Sequence, residues 1–83
     1  MTYFIYLLGN YKKKKLTTYV GYTNNLERRI KLHNLGKGAK FTKGRSWKLL
    51  YYETYLTKKE AISRESYIKK NRKVRNLLKE KYS

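Results

Sequence analysis

Two tyrosines, Tyr6 and Tyr19, an arginine, Arg29, and the chain's single histidine, His33, stand within the first 33 residues, and a lone glutamate, Glu65, follows on a later segment. Phenol, guanidinium, imidazole and carboxylate are together a set able to cut phosphodiesters. An imidazole with an ordinary pKa of about 6.5 accepts a proton near neutral pH. A phenol beside a cation is pushed toward phenolate and can act as a base or orient water. A guanidinium can pair with two phosphate oxygens as charge builds in a transition state. A single carboxylate completed by waters and substrate oxygens suits Mg²⁺, which dehydrates reluctantly.

Each of these residues also has a plain structural reading. Arg29 and His33, four apart, stack on neighbouring helical turns; they either converge on one phosphate or belong to a solvated face. Tyr6 and Tyr19 either flank one water or fill the core, in a chain with ten tyrosines. Glu65 falls in the helical arc of Ala61, Ile62 and Ile68, where a carboxylate must be ion-paired, hydrogen-bonded or bound to a cation. The other four acids have ordinary places: Glu27 and Glu60 at helix starts, Glu53 in a tyrosine-rich strand and Glu80 in the tail.

The elements that must position this set are legible from periodicity. Residues 3 to 9 form an apolar and aromatic run bounded by Gly9 and Asn10, which predicts a strand covered on both faces. Residues 16 to 22 are β-branched and aromatic, and the stretch Gly9 to Lys15 between the two reads as turn and lysine run, so an antiparallel hairpin is expected. Tyr6 then shares a face with Phe4 and Leu8, and Tyr19 with Gly21, where the glycine leaves room for a bulge or for a ligand's approach.

Beyond Thr23 the period becomes helical. Asn24 with Glu27 three residues on predicts a capped start, Leu26, Ile30 and His33 line one side, and the helix is expected to end near Asn34 to Gly36. A glycine-spaced basic loop to Arg45 precedes a third strand, Trp47 to Tyr55. Thr57 and Glu60 open a second helix. The tail from Lys69 to Ser83 is expected to be a last helix, packing through Val74, Leu77 and Leu78.

Eighty-three residues suffice for one small core, so residues 1–83 are expected to be a single domain. Twenty-two Lys and Arg against five Glu and no Asp give +17, a density whose self-repulsion calls for a polyanion. Nucleic acid is the expected partner. Lys37, Lys40, Lys43 and Arg45 in the loop, Lys69 and Lys70 farther on, and the run Lys12 to Lys15 are candidate backbone contacts. The absence of cysteine excludes disulfides and Cys-rich zinc sites, and one histidine excludes two-histidine metal motifs. No segment approaches the roughly 18 apolar residues of a membrane span and no signal-like segment opens the chain, so a cytoplasmic protein without membrane attachment is expected.

The run Phe4-Ile5-Tyr6, the segment Tyr19-Val20-Gly21-Tyr22-Thr23-Asn24-Asn25-Leu26-Glu27-Arg28-Arg29, and Glu60-Ala61-Ile62-Ser63-Arg64-Glu65 with Ile68 and Lys69 resemble the GIY-YIG nuclease superfamily, nearest its short stand-alone bacterial members. The likeness covers residues 3 to 70. It implies an α+β fold, a three-stranded antiparallel sheet flanked by helices, and a DNA endonuclease using Mg²⁺ or Mn²⁺ without a small-molecule cofactor. By the same resemblance Tyr6 and Tyr19 match the motif tyrosines, and Gly21 the glycine that keeps the site open. Arg29 matches the motif arginine, His33 the base or phenol position, and Glu65 the metal ligand. Phe4 replaces the first motif glycine and Val20 an isoleucine, neither touching the reacting groups; Tyr22 stands where some members carry lysine, and Asn76 is only a near match to a late asparagine. A non-catalytic basic nucleic-acid-binding module with a relic site is the alternative function.

Overall fold

The computed structural model describes residues 1–83, which form six elements: β1 (Tyr3–Lys12), β2 (Lys15–Thr23), α1 (Leu26–Asn34), β3 (Lys48–Tyr55), α2 (Lys58–Lys70) and α3 (Arg72–Tyr82). The three strands make one antiparallel sheet in the order β2-β1-β3, so the most apolar strand is central. The α+β class and the three-stranded sheet flanked by helices are therefore as expected.

The hairpin is tighter than its composition suggests. Pairing runs on to Lys12↔Lys15, and only Lys13 and Lys14, at φ 50° and 64°, form the turn. Both adopt the left-handed conformation that a two-residue hairpin loop needs to match strand twist. The expectation that Gly9 to Lys15 is a loop is corrected accordingly. Gly9 is a buried strand residue, as the span 3 to 9 predicts, and a Cβ there would lie 2.7 Å from Leu50. Leu50 is the extra residue at an irregularity between Leu7↔Tyr51 and Leu8↔Leu49, and it packs with Tyr51 on one face of the sheet.

Alternation divides the core between the two faces. Ile5, Leu7 and Val20 meet Ala61 and Ile68 of α2, with Val74 and Leu78 of α3 closing that side. Tyr6, Leu8 and Trp47 build the other side with Tyr19, Leu26, Ile30 and Leu49. Three expectations shift here. Ile62, placed in the α2 arc, is 39% exposed, because the buried line is Ala61 to Ile68. The helical tail is broken at Asn71, which ends α2 and caps α3 by accepting from the Val74 amide. That break resets the phase of α3, so Val74 and Leu78 pack while Leu77 faces solvent.

The cap of α1 is also one residue later than expected. Asn25, not Asn24, accepts from the Arg28 amide at 3.2 Å, and Glu27 sits in the first turn. At α2 the expected pair forms: Thr57 Oγ1 accepts from the Glu60 amide and donates to the Glu60 carboxylate. A stronger tie joins α2 to the sheet. Arg64 donates twice to Glu53 of β3, at 2.9 and 3.1 Å, and the Tyr51 and Tyr55 hydroxyls donate to the same carboxylate. These four donors hold Glu53 below the usual carboxylate range against the upward push of burial, so Glu53 has a larger structural part than its sequence position suggested. No helix is long and apolar enough to cross a membrane.

Candidate active site

The hairpin register puts Tyr6 opposite Gly21 and Leu8 opposite Tyr19, so both candidate tyrosines look toward α1. Tyr6 crosses β2 above Gly21. A Cβ at Gly21 would stand 2.4 Å from the Tyr6 hydroxyl and 2.6 Å from Cζ, which no side chain tolerates. The expectation that Gly21 leaves room for a ligand is thus corrected: its missing side chain is replaced by the Tyr6 phenol.

Across that glycine the Tyr6 hydroxyl meets Nε2 of His33 at 2.7 Å. His33 is wholly buried, so it touches bulk water only through its partners. Its other nitrogen, Nδ1, lies 2.8 Å from the Thr42 hydroxyl, and Thr42 Oγ1 lies 3.0 Å from the Ala39 carbonyl. The carbonyl can only accept, so the Thr42 proton points to it. The Thr42 oxygen is then left to accept, and Nδ1 must carry the ring hydrogen. Nε2 accordingly accepts from Tyr6, and the order Tyr6, His33, Thr42, Ala39 is a directed chain.

The charge states fit that direction. Burial pushes the Tyr6 phenol up to about 12, with Tyr19 and Glu65 adding to the rise and the Arg29 guanidinium opposing it. Burial, and then Arg29, hold His33 below its ordinary 6.5. Both groups are therefore neutral in the free protein near pH 7.

Arg29 is tied down on one side only. Its Nη2 donates to the Gly38 carbonyl at 3.0 Å, whereas Nε is buried with no acceptor. A buried donor without a partner costs about 1–3 kcal/mol, and an anion would relieve it. Arg29 also lines a cleft of about 430 Å³ together with Tyr3, Tyr22, Thr23, Asn24 and Lys58.

Gly38 serves both basic residues. A Cβ there would lie 2.3 Å from His33 Nδ1, so only glycine lets the loop lie against the imidazole while its carbonyl holds Arg29. Neither Gly38 nor Thr42 was foreseen as a site residue, since a loop without periodicity carries no signal of what it covers. Trp47 fastens the same loop by donating from its indole to the Thr42 carbonyl at 2.8 Å.

Tyr19 is half-buried against His33, 5.1 Å between ring centres, and Phe41 stacks on it at 6.1 Å and 20°. Glu65 comes from α2, whose body packs on the opposite face of the sheet against β1 and β2. Its side chain is 17% exposed and lies 3.6 Å from Lys69, whose ammonium also sits over the Tyr19 ring at 5.7 Å. An i,i+4 pair with a half-exposed lysine contributes only a few tenths of a kcal/mol, about 0.3–0.5, so it leaves the carboxylate available. Nowhere do three His, Cys, Asp or Glu side chains converge. A cation at Glu65 would therefore have a single protein carboxylate and would need water and substrate oxygens to complete its shell.

Tyr6, Tyr19, Arg29 and His33 accordingly form one contiguous group, while Glu65, on the helix packed against the opposite face of the sheet, acts electrostatically on Tyr6 alone among them. Among the candidate backbone contacts, Lys37, Lys40, Lys43, Arg45, Lys69 and Lys70 are all exposed. Lys43 and Arg45 line a groove shared with the hairpin lysines, and Lys69 is the one engaged with Glu65.

The GIY-YIG catalytic domain matches residues 2–79 of this chain. The chain belongs to the GIY-YIG family. Among its relatives, a UPF0213 protein of Clostridium perfringens is 54% identical over 68 residues, 81% of this chain and 70% of that one. The UPF0213 protein YazA of Bacillus subtilis is 50% identical over 60 residues, 71% of this chain and 61% of the relative. The solution NMR structure of a UPF0213 protein from Bacillus halodurans aligns over all of this chain and 88% of its own, at 36% identity and a TM-score of 0.56. This GIY-YIG chain is thus a member of a nuclease family that acts on DNA, within its short stand-alone UPF0213 group.

Proposed function

We propose that residues 1–83 act as one GIY-YIG nuclease domain, a metal-dependent DNA endonuclease that hydrolyses phosphodiester bonds. The observation that carries this reading is the directed chain from Tyr6 through His33 to Thr42, set beside an arginine whose buried Nε has no acceptor. A core tyrosine and a core histidine need no such polarity, and a structural arginine would not leave a donor orphaned.

Glu65 would hold the divalent cation, Mg²⁺ or Mn²⁺, as members of this family generally use divalent metals. When bound, the cation supplies Lewis-acid stabilisation of charge on the phosphate. The protein's own residues do the rest. Arg29 directs Nε at a phosphate oxygen and stabilises the charge that develops there. As a water oxygen bonds to phosphorus, its proton passes to the Tyr6 oxygen while the Tyr6 proton passes to Nε2 of His33. Thr42 accepts throughout from Nδ1–H and keeps the ring oriented. The bond from phosphorus to the 3′ oxygen breaks, and the 3′ oxygen leaves with the bonding electron pair and takes its proton from solvent water. Tyr19, packed against His33, walls the water's position.

The test is a pair of variants on nicked, branched and linear DNA with and without divalent metal. Glu65→Ala is expected to bind DNA and leave it uncut, and Arg29→Ala to lose about 10²–10³ in rate, as removal of one transition-state donor does elsewhere. Normal metal-dependent cleavage by Glu65→Ala overturns the assignment. The pairing of Glu65 with Lys69 favours the second reading, a basic binding module with a relic site, and that reading requires the wild-type protein to give no metal-dependent products.

A further inference from the structure

At the far end of the hairpin from Tyr6, the turn and the loop before β3 face each other across a groove of about 690 Å³. Lys12, Lys13 and Lys15 form one wall, and Lys43 and Arg45 the other. No acid lines it, and none of the five cations takes part in a salt bridge. The walls are joined: Asn10 of β1 donates from its side chain to the Ser46 carbonyl at 2.8 Å. Like charges would separate in two free loops, but here a hydrogen bond and a two-residue turn hold them together. The turn itself places Lys13 in a left-handed conformation, unfavourable for a residue with a side chain, where asparagine or glycine would serve the backbone better.

Such a cluster raises the local potential and favours a polyanion. Its distance from the candidate site says which part of one. Tyr19 and Lys15 are four residues apart on β2, about 13 Å, and Tyr6 and Lys12 six apart on β1, about 20 Å, at roughly 3.3 Å per residue. Along one strand of duplex DNA, at about 3.4 Å per nucleotide, that span is about four to six nucleotides.

We infer that this groove is a second, non-catalytic binding site for the phosphodiester backbone of duplex DNA, gripping it about four to six nucleotides from the phosphate beside Tyr6 and Tyr19. The inference rests on the nuclease reading for the position of the scissile phosphate, but the groove's affinity for DNA is measurable without cleavage. The groove holds the duplex at a fixed distance and reads no bases, since lysine contacts to phosphate position a duplex without reporting sequence.

The test uses fluorescence anisotropy with labelled duplexes and no divalent metal. One variant alters the turn wall, Lys12→Gln with Lys13→Asn and Lys15→Gln, where asparagine suits the left-handed position. A second alters the other wall, Lys43→Gln with Arg45→Gln. The control removes three exposed charges elsewhere, at Lys31, Lys73 and Lys81. With a duplex of 16 base pairs, the turn-wall variant is expected to lower the slope of log K against log salt by about 2–3 and to weaken binding at 0.1 M salt by up to about 10²–10³-fold. The second variant shifts both in the same direction, and the control moves them far less.

Equal losses in the turn-wall and control variants overturn the inference. If the wild type cleaves DNA, the turn-wall variant raises KM and leaves kcat within about twofold; a fall in kcat alone also overturns it. If the wild type fails to cleave while the anisotropy result holds, the nuclease reading fails and the groove stands.

Discussion

His33 is the only histidine in the chain, so its ring nitrogens give unambiguous NMR signals, and the hydrogen-bond chain fixes what they should show. Nδ1 carries the hydrogen and Nε2 is the unprotonated acceptor, because Thr42 commits its own proton to Ala39. The imidazole should titrate below 6.5, since burial and Arg29 both oppose its charging. Thr42→Val keeps the volume and removes the hydroxyl, leaving Nδ1–H buried without an acceptor. That orphaned donor costs about 1–3 kcal/mol. In a chain of this size, where 1 kcal/mol moves Tm by roughly 4–8 °C, the midpoint should fall by about 5–20 °C.

Urea unfolding of wild type, Thr42→Val and Thr42→Ser measures the cost, with Thr42→Ser expected to recover most of it because the hydroxyl returns. Nitrogen shifts of the imidazole measure the tautomer. A wild-type ring protonated at Nε2, or titrating at or above 6.5, refutes the directed chain outright. A Thr42→Val protein within about 0.5 kcal/mol of wild type refutes the energetic part, since surface-like substitutions give changes of that size.

Gly21→Ala should drive the Tyr6 phenol off His33, destabilising by about 1–3 kcal/mol for overpacking, and its crystal structure or urea midpoint will show whether the ring has moved. Glu53→Gln should cost about 1–3 kcal/mol by weakening the Arg64 pair, and it should flatten the loss of wild-type stability at acid pH. The sign follows from the depressed Glu53 pKa: its contribution is present above about 4.5 and is lost as pH falls through the lower folded value, so an acid-stability profile checks it. At the alkaline end Tyr6, raised from 10.0 to about 12, contributes about 3 kcal/mol that is present below pH 10 and lost as pH rises toward 12. Tyr6→Phe should remove that part of the alkaline slope in a denaturation series.

The strands and the facing within each were legible because alternation leaves a period-two record, Tyr6 with Leu8 and Tyr19 with Gly21, whereas the register that puts both tyrosines on one face was not. The start of α2 was legible because Thr57 and Glu60 satisfy each other locally. Where two local solutions were equally good, the sequence could not choose. Asn24 and Asn25 are both competent caps, and the burial of Leu26 and Ile30 against Tyr6 and Leu8 sets the phase that favours Asn25. Leu77 is exposed while Leu78 packs as expected, because Asn71 interrupts the helix that would have joined them to Lys69. Contacts between distant segments left no trace at all. The wrap of Gly38 and Thr42 on His33 and the clasp of Arg64 on Glu53 arise only when separate elements meet.

Arg29 links the two halves of the proposed chemistry. In the free protein its charge opposes protonation of His33 and favours ionisation of Tyr6, so it works against proton storage on the imidazole while lowering the cost of a phenolate. Burial is the larger influence on both groups, and it keeps them neutral. A phosphate bound at Nε would offset the guanidinium charge, lifting the opposition to an imidazolium at the moment a proton must be received. Base strength at His33 is then coupled to occupancy of Arg29, through a contact that the Gly38 carbonyl holds in place from one side only. A fully satisfied arginine would have no open donor for the phosphate. An arginine displaced to the surface would be screened from the imidazole and could not sense the anion on its behalf. The half-tied position, with Nη2 on a backbone carbonyl and Nε free inside the protein, meets both requirements.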